Sequence, residues 1–404
     1  MKQVNKFRFK KNNTIGAIDA YEDKRFLKNC FIDTGEISVL SDTTRPECIL
    51  LGRTGSGKTA LIERLLATNE RAIKIEPENL ALTYLANNEA LKFYIDVGVD
   101  LDLFFRLLWR HILCVEIIKE HFDISTIEKQ NVFIEYIKKL APTRKTREKA
   151  KEYLLNWSDT FWKDTDFRVK EFTSKLEQEL TSATQAQISV AIPGATGSVG
   201  LNPKTATKLT QEQKSEIIRL GQPVVEERQM GEMTEVMKLL EEELLNNKQK
   251  YYYIAIDRLD ERWVNEKIKY QLIRALLETI RDFNNRLTNV KVILGLREDL
   301  VGRIFRRTRS AGDQEEKYTS LYINLLWRSD DLVSLLEIRL NQLIEQQYTK
   351  QLVKLKEFLP DEIYGTDGVS YFLKRTMQTP RDVIMLFNEC IVKSEGKASI
   401  DKES

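Results

Sequence analysis

A chain of 404 residues can bury a core without staples, and it can hold two or three domains or one large domain with an insertion and a small satellite. Its four cysteines are scattered with no CxxC pair and its two histidines stand apart, which argues against a metal site or a disulfide scaffold and fits a reducing cytosol. Basic and acidic residues nearly cancel at 63 against 61, and no run of about 18 apolar residues occurs, so neither a general nucleic-acid field nor a membrane span is expected.

Residues 1–80 read as an N-terminal linker followed by the first part of an α/β core. Glu47 to Leu51 is a short apolar run that stops at Gly52, as a buried parallel strand feeding a loop does. Gly52-Arg53-Thr54-Gly55-Ser56-Gly57-Lys58-Thr59 satisfies G-x-x-x-x-G-K-[ST] in full, and Thr59 to Ala67 continues with apolar residues at helical spacing. Strand, glycine-rich loop and helix in that order predict a phosphate-binding loop. The glycines let successive amides curl around one anion, the helix N-terminus adds its positive end, Lys58 neutralises β- and γ-phosphate charge, and the Thr59 hydroxyl ligates magnesium. The expected ligand is ATP with Mg2+, with GTP less favoured, since such a loop reads phosphates and not the base.

Arg71 to Ile75 predicts a second strand. Residues 81–247 read as a mainly helical insertion, within which Gln187 to Ile192 alternates, Pro193 to Gly197 turns and Ser198 to Leu201 returns, predicting a β-hairpin over 186–202. The core resumes over 248–328. Tyr251 to Asp257 is a buried strand ending in a carboxylate, which makes Asp257 the second magnesium-sphere residue. Asp260 and Glu261 are placed to orient or deprotonate a water beside the γ-phosphate, or else cap the next helix. Val290 to Leu296 leads to Arg297, a γ-phosphate sensor or an ordinary ion pair with Glu298 or Asp299. Arg303, Arg306, Arg307 and Arg309 follow, as an arginine finger for a neighbouring subunit, a nucleic-acid contact or a solvated helix face.

Leu321 to Leu325 is the fifth predicted strand. Residues 329–404 read as a helical lid, with Leu332, Leu335, Leu336 and Leu340 on one face. Thr379-Pro380 opens its last helix and puts Arg381 in the first turn, against the helix dipole, which points to a second γ-phosphate contact delivered by the lid. The fold class is therefore α/β: a three-layer nucleotide-binding core with a parallel sheet, a large helical insertion and a helical lid.

Asp257-Arg258-Leu259-Asp260-Glu261 resembles the D-G-x-D-E signature of the NACHT group of AAA-related signal-transduction ATPases, with arginine in the glycine position. Asp23 to Asp33, the I-L-L-G-R-T-G-S-G-K-T-A-L run, Phe105 to Lys119 and I-D-R-L-D-E-R-W together resemble the FunZ-type bacterial P-loop ATPases. The resemblance implies a sheet order of 5-1-4-3-2, a helical lid closing over the nucleotide and an NTP-controlled switch of the kind found in bacterial antiphage defence, and the cysteine usage adds the expectation of a cytoplasmic protein. It also implies a homo-oligomer whose effector is a separate protein, such as a nuclease. The rival expectation is a DNA-binding ATPase of initiator or loader type, with Arg303 to Arg309 and the hairpin against nucleic acid.

Overall fold

The computed structural model describes residues 7–76, 82–124, 126, 128–129, 131–132, 134–135, 165–191, 201–227, 236–238, 240–242, 250–259, 266–308, 315–345 and 352–403. At its centre lie five parallel strands, β1 (Ile49–Gly52), β2 (Ala72–Ile75), β3 (Tyr252–Ile256), β4 (Val290–Arg297) and β5 (Tyr322–Asn324). They run in the order β2-β3-β4-β1-β5, which from the β5 edge is 5-1-4-3-2.

Period-two alternation sends neighbouring side chains to opposite faces of this sheet. Leu50, Tyr253, Ala255 and Ile293 pack against Leu40 of α2 (Glu36–Ser41), which follows the short α1 (Lys24–Asn29), and against Leu61, Ile62 and Leu65 of α3 (Lys58–Thr68). Lys291 is buried on the same strand, where its Nζ donates to the carbonyls of Asp42 and Arg45 at 2.7 Å each, so the cation ties down the chain that leaves α2. Burial lowers its pKa.

Ile49, Leu51, Ile254, Ile256, Val292 and Leu294 face the other way, into the largest core. That core is completed by α4 (Leu82–Asn87), α5 (Glu89–Val97), α6 (Asp102–His121), α7 (Thr165–Ala191), α8 (Pro203–Ala206), α9 (Gln211–Glu227) and α10 (Glu266–Arg286). α6 lies along α10: Trp109 is fully buried and donates its indole N–H to Leu272 O at 2.9 Å, while Arg110 pairs with Asp282 at 2.7 Å. His111 is buried on α6, as a packed helix residue. The helices expected as an insertion thus share one apolar core with the sheet.

The first strand of the hairpin expected over 186–202 is corrected to helix. Gln187 to Val190 belong to the last turns of α7, and residues 192–200 lie outside the described residues. The alternation of Ile188 with Val190 is overridden by a longer stripe in which Val169, Thr173, Leu176, Leu180, Thr184 and Ile188 are all buried at steps of three and four residues, the helical period.

The lid contains α12 (Ser329–Glu345), a two-stranded antiparallel ribbon of β6 (Glu362–Ile363) and β7 (Thr366–Asp367), α13 (Gly368–Lys374) and α14 (Pro380–Lys393). Leu332, Leu335, Leu336 and Leu340 meet Val383, Ile384, Phe387 and Ile391 in a core of its own, so the expected leucine face is buried. The Thr379 hydroxyl accepts the Asp382 N–H at 3.3 Å and Pro380 occupies the first position, which defines the start of α14. Phe7, Phe9 and Ile15 join this lid core, and Phe9 exchanges backbone hydrogen bonds with Gly396 and Lys397. The N-terminal stretch, read as a linker, is part of the lid. Among the described residues no helix is long and apolar enough to cross a membrane.

Ile188 and Val190 would share a face in a strand but diverge on a helix. Ile188 is 1% exposed and Val190 74%. In urea unfolding, Ile188→Ala is expected to cost about 2–4 kcal/mol and Val190→Ala less than about 0.5 kcal/mol; equal costs would restore the strand assignment.

Candidate functional site

Parallel register brings the carboxyl ends of three strands together. Gly52 of β1 pairs with Arg297 of β4, and Ile256 of β3 pairs with Leu294 of β4, so Gly52, Asp257 and Arg297 emerge at one edge of the sheet. In open parallel sheets this is the edge where ligands bind.

From Gly52 the chain turns through Gly55 (φ +82°) and Gly57 (φ +96°), both in the left-handed region that glycine enters freely. Gly57 caps α3 with no side-chain hydrogen bond. The Lys58 Nζ reaches back to Gly52 O and Arg53 O at 3.0 Å each. The Thr59 hydroxyl donates to Asp257 Oδ2 at 2.6 Å, joining the start of α3 to the end of β3. Asp257 is buried at 7% exposure and sits against Gly295: a Cβ there would lie 2.6 Å from Asp257 Oδ1. Glycine at 295 is what allows the carboxylate its place, and a glycine inside the V-K-V-I-L-G-L strand was the available signal for it.

Above these groups is a cavity of about 610 Å³, within the range of roughly 300–1,000 Å³ common for small-ligand sites. Thr54 to Ala60, Asp257, Arg258 and Arg297 line it from the sheet, and Arg339, Pro380, Arg381 and Ile384 line it from the lid. The lid rests directly on the loop. The Arg381 N–H donates to Gly55 O at 3.3 Å, and a Cβ on Gly55 would come within 2.7 Å of the Arg381 Cβ. Trp327, entering the lid, donates its indole N–H to Ser56 O at 2.8 Å.

The expected site residues fall into three groups. Gly52 and Arg53 are not among the lining residues, their carbonyls accepting from Lys58, while Thr54, Gly55, Ser56, Gly57, Lys58, Thr59, Asp257, Arg297 and Arg381 all line the cavity. Arg297 also holds Asp299 through two hydrogen bonds of 2.9 and 3.1 Å, and Arg381 donates from Nε to Ile18 O at 3.3 Å. Arg303, Arg306 and Arg307 are exposed on α11 (Glu298–Arg307); Arg303 pairs with Asp299 and Arg307 stands over the Tyr270 ring. Asp260, Glu261 and Arg309 lie outside the described residues.

Sequence reasoning missed the remaining wall. Residues 15–23 cross the cavity as a strap, and Ala17, Ile18, Asp19, Ala20 and Asp23 line it. Asp23 pairs with Arg339 of α12 at 2.6 Å, both side chains only 4% exposed. Arg339 also donates to Ile15 O at 2.9 Å, and Asp23 accepts the Ala17 N–H at 2.9 Å. An arginine next to the leucines of a lid helix was the legible signal, since a cation there needs a buried partner. None of the cysteines is a candidate nucleophile: all four are buried, and burial pushes the Cys30 thiol up to about 11 and Cys48 to about 12.

Breaking the pair from one side strands a buried charge. Arg339→Ala is expected to lower stability by about 3–5 kcal/mol, whereas Asp23→Leu together with Arg339→Met should cost clearly less. Thermal unfolding of the three proteins checks this; a double variant as unstable as the single one would contradict it.

A family model described as FunZ-associated C-terminal helical domain matches residues 330–404, which are the lid. Over 397 residues the chain is 23% identical to a protein of Escherichia coli (strain K12) named as a transposon gamma-delta 80.3 kDa protein. That alignment covers 94% of this chain and 47% of the relative, so the chain spans about half the relative's length. No solved structure matches the chain.

Proposed function

We propose that the cavity is a magnesium–ATP site and the chain a P-loop ATPase, in which nucleotide controls closure of the lid, self-assembly and the activity of a partner effector. The observation that carries this reading is the 2.6 Å contact between the Thr59 hydroxyl and Asp257 on the cavity floor. A hydroxyl and a carboxylate are hard oxygen donors, so this pair fits magnesium rather than a soft metal, and these two residues would hold it. When bound, magnesium neutralises phosphate oxygens and orients the γ-phosphoryl group for in-line displacement.

The chain's own groups do the rest. The turn from Gly55 to the start of α3 wraps the phosphates, with the Lys58 ammonium supplying positive charge at the loop mouth. Asp260 and Glu261, just beyond Asp257 in the sequence, orient the attacking water. Arg297 on the sheet and Arg381 on the lid reach for a γ-phosphate, a group that ATP has and ADP lacks, so ATP favours the closed lid. Arg297 gives up little to do so. Its pair with Asp299 is 40% and 43% exposed, and such pairs are worth less than about 1 kcal/mol.

The lid match supports placing the chain among FunZ-type proteins, and with that resemblance comes the proposed setting of antiphage defence and an effector such as a nuclease. Calorimetric titration with ATP and ADP tests the core of the reading. Lys58→Ala is expected to weaken ATP binding at least tenfold, roughly the loss of one strong charged contact. Asp257→Ala should reduce phosphate release about a hundredfold or more by removing a magnesium ligand. A wild-type protein with no affinity for any nucleoside triphosphate would end the proposal, and an assembly mass unchanged between ATP and ADP would end its switching part.

One observation favours the second reading, a nucleic-acid-bound ATPase of loader type: Arg303, Arg306 and Arg307 are exposed at three- and four-residue spacing on α11. With three phosphate contacts, DNA affinity should fall roughly 40-fold between about 50 and 200 mM salt. Absence of DNA binding at the lower salt leaves the switch reading alone.

A further inference from the structure

The strap over 15–23 is gripped at both ends. On the lid side, Asn388 accepts from the Ile15 N–H and donates to Gly16 O at 2.9 Å each, and Arg339 and Arg381 hold Asp23 and Ile18. Since Phe7, Phe9 and Ile15 are part of the lid core, the strap belongs mechanically to the lid.

On the sheet side the grip is Tyr21. Its half-buried ring is met by two cations, with Lys74 Nζ 4.0 Å and Arg258 Cζ 3.9 Å from the centroid. Lys74, on β2, is itself held by Glu63 of α3 at 2.9 Å and by Glu76 at 3.0 Å. Arg258 also approaches Asp19 at 3.4 Å, and Asp19 accepts the Tyr21 N–H at 2.9 Å, so one carboxylate shapes the strap's turn and meets the guanidinium. These contacts are the strap's hold on the sheet, and they cluster on a residue directly after Asp257.

The backbone at Arg258 is unusual. Its φ is +61°, a left-handed conformation that glycine takes freely and a side chain disfavours. The resembled D-G-x-D-E signature has glycine at this position. Here the chain carries an arginine in a glycine-like conformation, and that conformation aims the guanidinium at Tyr21. Residues kept in strained backbone regions are held there by their surroundings and cluster at clamps and switches.

We propose that Arg258 and Tyr21 form the latch of the cavity: the strap is the gate through which nucleotide exchanges, and Arg258 is the positioning residue that ties gate closure to the backbone bearing Asp257. The proposal rests on the nucleotide-binding reading. A small rotation at the 257–258 peptide withdraws the guanidinium from the ring and from Asp19, which leaves Tyr21 to Lys74 and loosens the strap's hold on the sheet, so that the strap leaves with the lid more readily. Arg258 is therefore tied to the release rate.

The test is release of a fluorescent ADP analogue from the full chain, followed by stopped flow after a chase of excess ADP. Tyr21→Leu and Arg258→Gly are each expected to speed release about tenfold, the scale of one desolvated cation–ring contact. The double variant should fall well short of the product of the two single effects, because the two substitutions share the Arg258–Tyr21 contact. Tyr21→Phe keeps the ring over which Arg258 sits and loses only the hydroxyl's bond to Lys74, so it should release more slowly than Tyr21→Leu. Thermal unfolding without nucleotide, within a few degrees of wild type, shows that each variant folds. Wild-type release rates in Tyr21→Leu and Arg258→Gly, or fully multiplicative effects in the double variant, overturn the latch and leave the nucleotide site standing. A wild-type protein that does not bind the analogue overturns the site and the latch together.

Discussion

The molecule depends on a register. Because β1, β3 and β4 run parallel and in step, the loop after Gly52, the carboxylate of Asp257 and the guanidinium of Arg297 all leave the sheet at one edge. A parallel sheet needs crossover connections, so each of these groups arrives from a distant part of the chain. The Thr59–Asp257 hydrogen bond spans 198 positions, and it forms only because Gly295 has no Cβ to push the carboxylate away. Remove the register and the candidate site has no floor.

Burial separates arginines of the same chemistry into different roles. Arg339 and Asp23 are almost completely enclosed, where an ion pair is costly to break from one side and serves as a fastening. Arg297 and Asp299 are about two-fifths exposed, where water and salt make their attraction weak and exchangeable. The first pair suits a permanent joint between strap and lid. The second suits a group that can change partners when an anion arrives. Arg258 lies between these extremes, partly exposed and holding an aromatic ring.

The lid is built from both ends of the chain. Its leucine helix and α14 would form a thin layer by themselves; Phe7, Phe9 and Ile15 thicken that layer, with Phe7 and Phe9 packing edge-on at 5.1 Å between ring centroids. The strap that follows is thereby anchored before it crosses the cavity. Lid and strap are thereby joined as one cover, while the sheet and its helices share a separate, larger core. The match of a C-terminal helical domain to residues 330–404 captures the part of this cover that is continuous in sequence and leaves out the N-terminal part that completes it.

The amino-acid sequence by itself determined the sheet and the loop. Five apolar runs, each ending in a loop or a charged tip, became five parallel strands, and the glycine spacing of 52–59 carried the left-handed turns at Gly55 and Gly57. Such features rest on local periodicity and backbone freedom, which a linear text contains. The alternation at Gln187 to Ile192 misled because a two-residue period over a few positions is weaker than a helical stripe six residues deep that begins at Val169. What only the tertiary structure decided are the partnerships between distant residues: Asp23 with Arg339, Tyr21 with Arg258, Gly295 with Asp257, and Phe9 with the C-terminal turn. The sequence marks at most one member of each pair, as with the arginine among the lid leucines and the glycine inside β4, and never the partner, because each is a charge, a ring or a missing methyl whose meaning comes from what folding places against it.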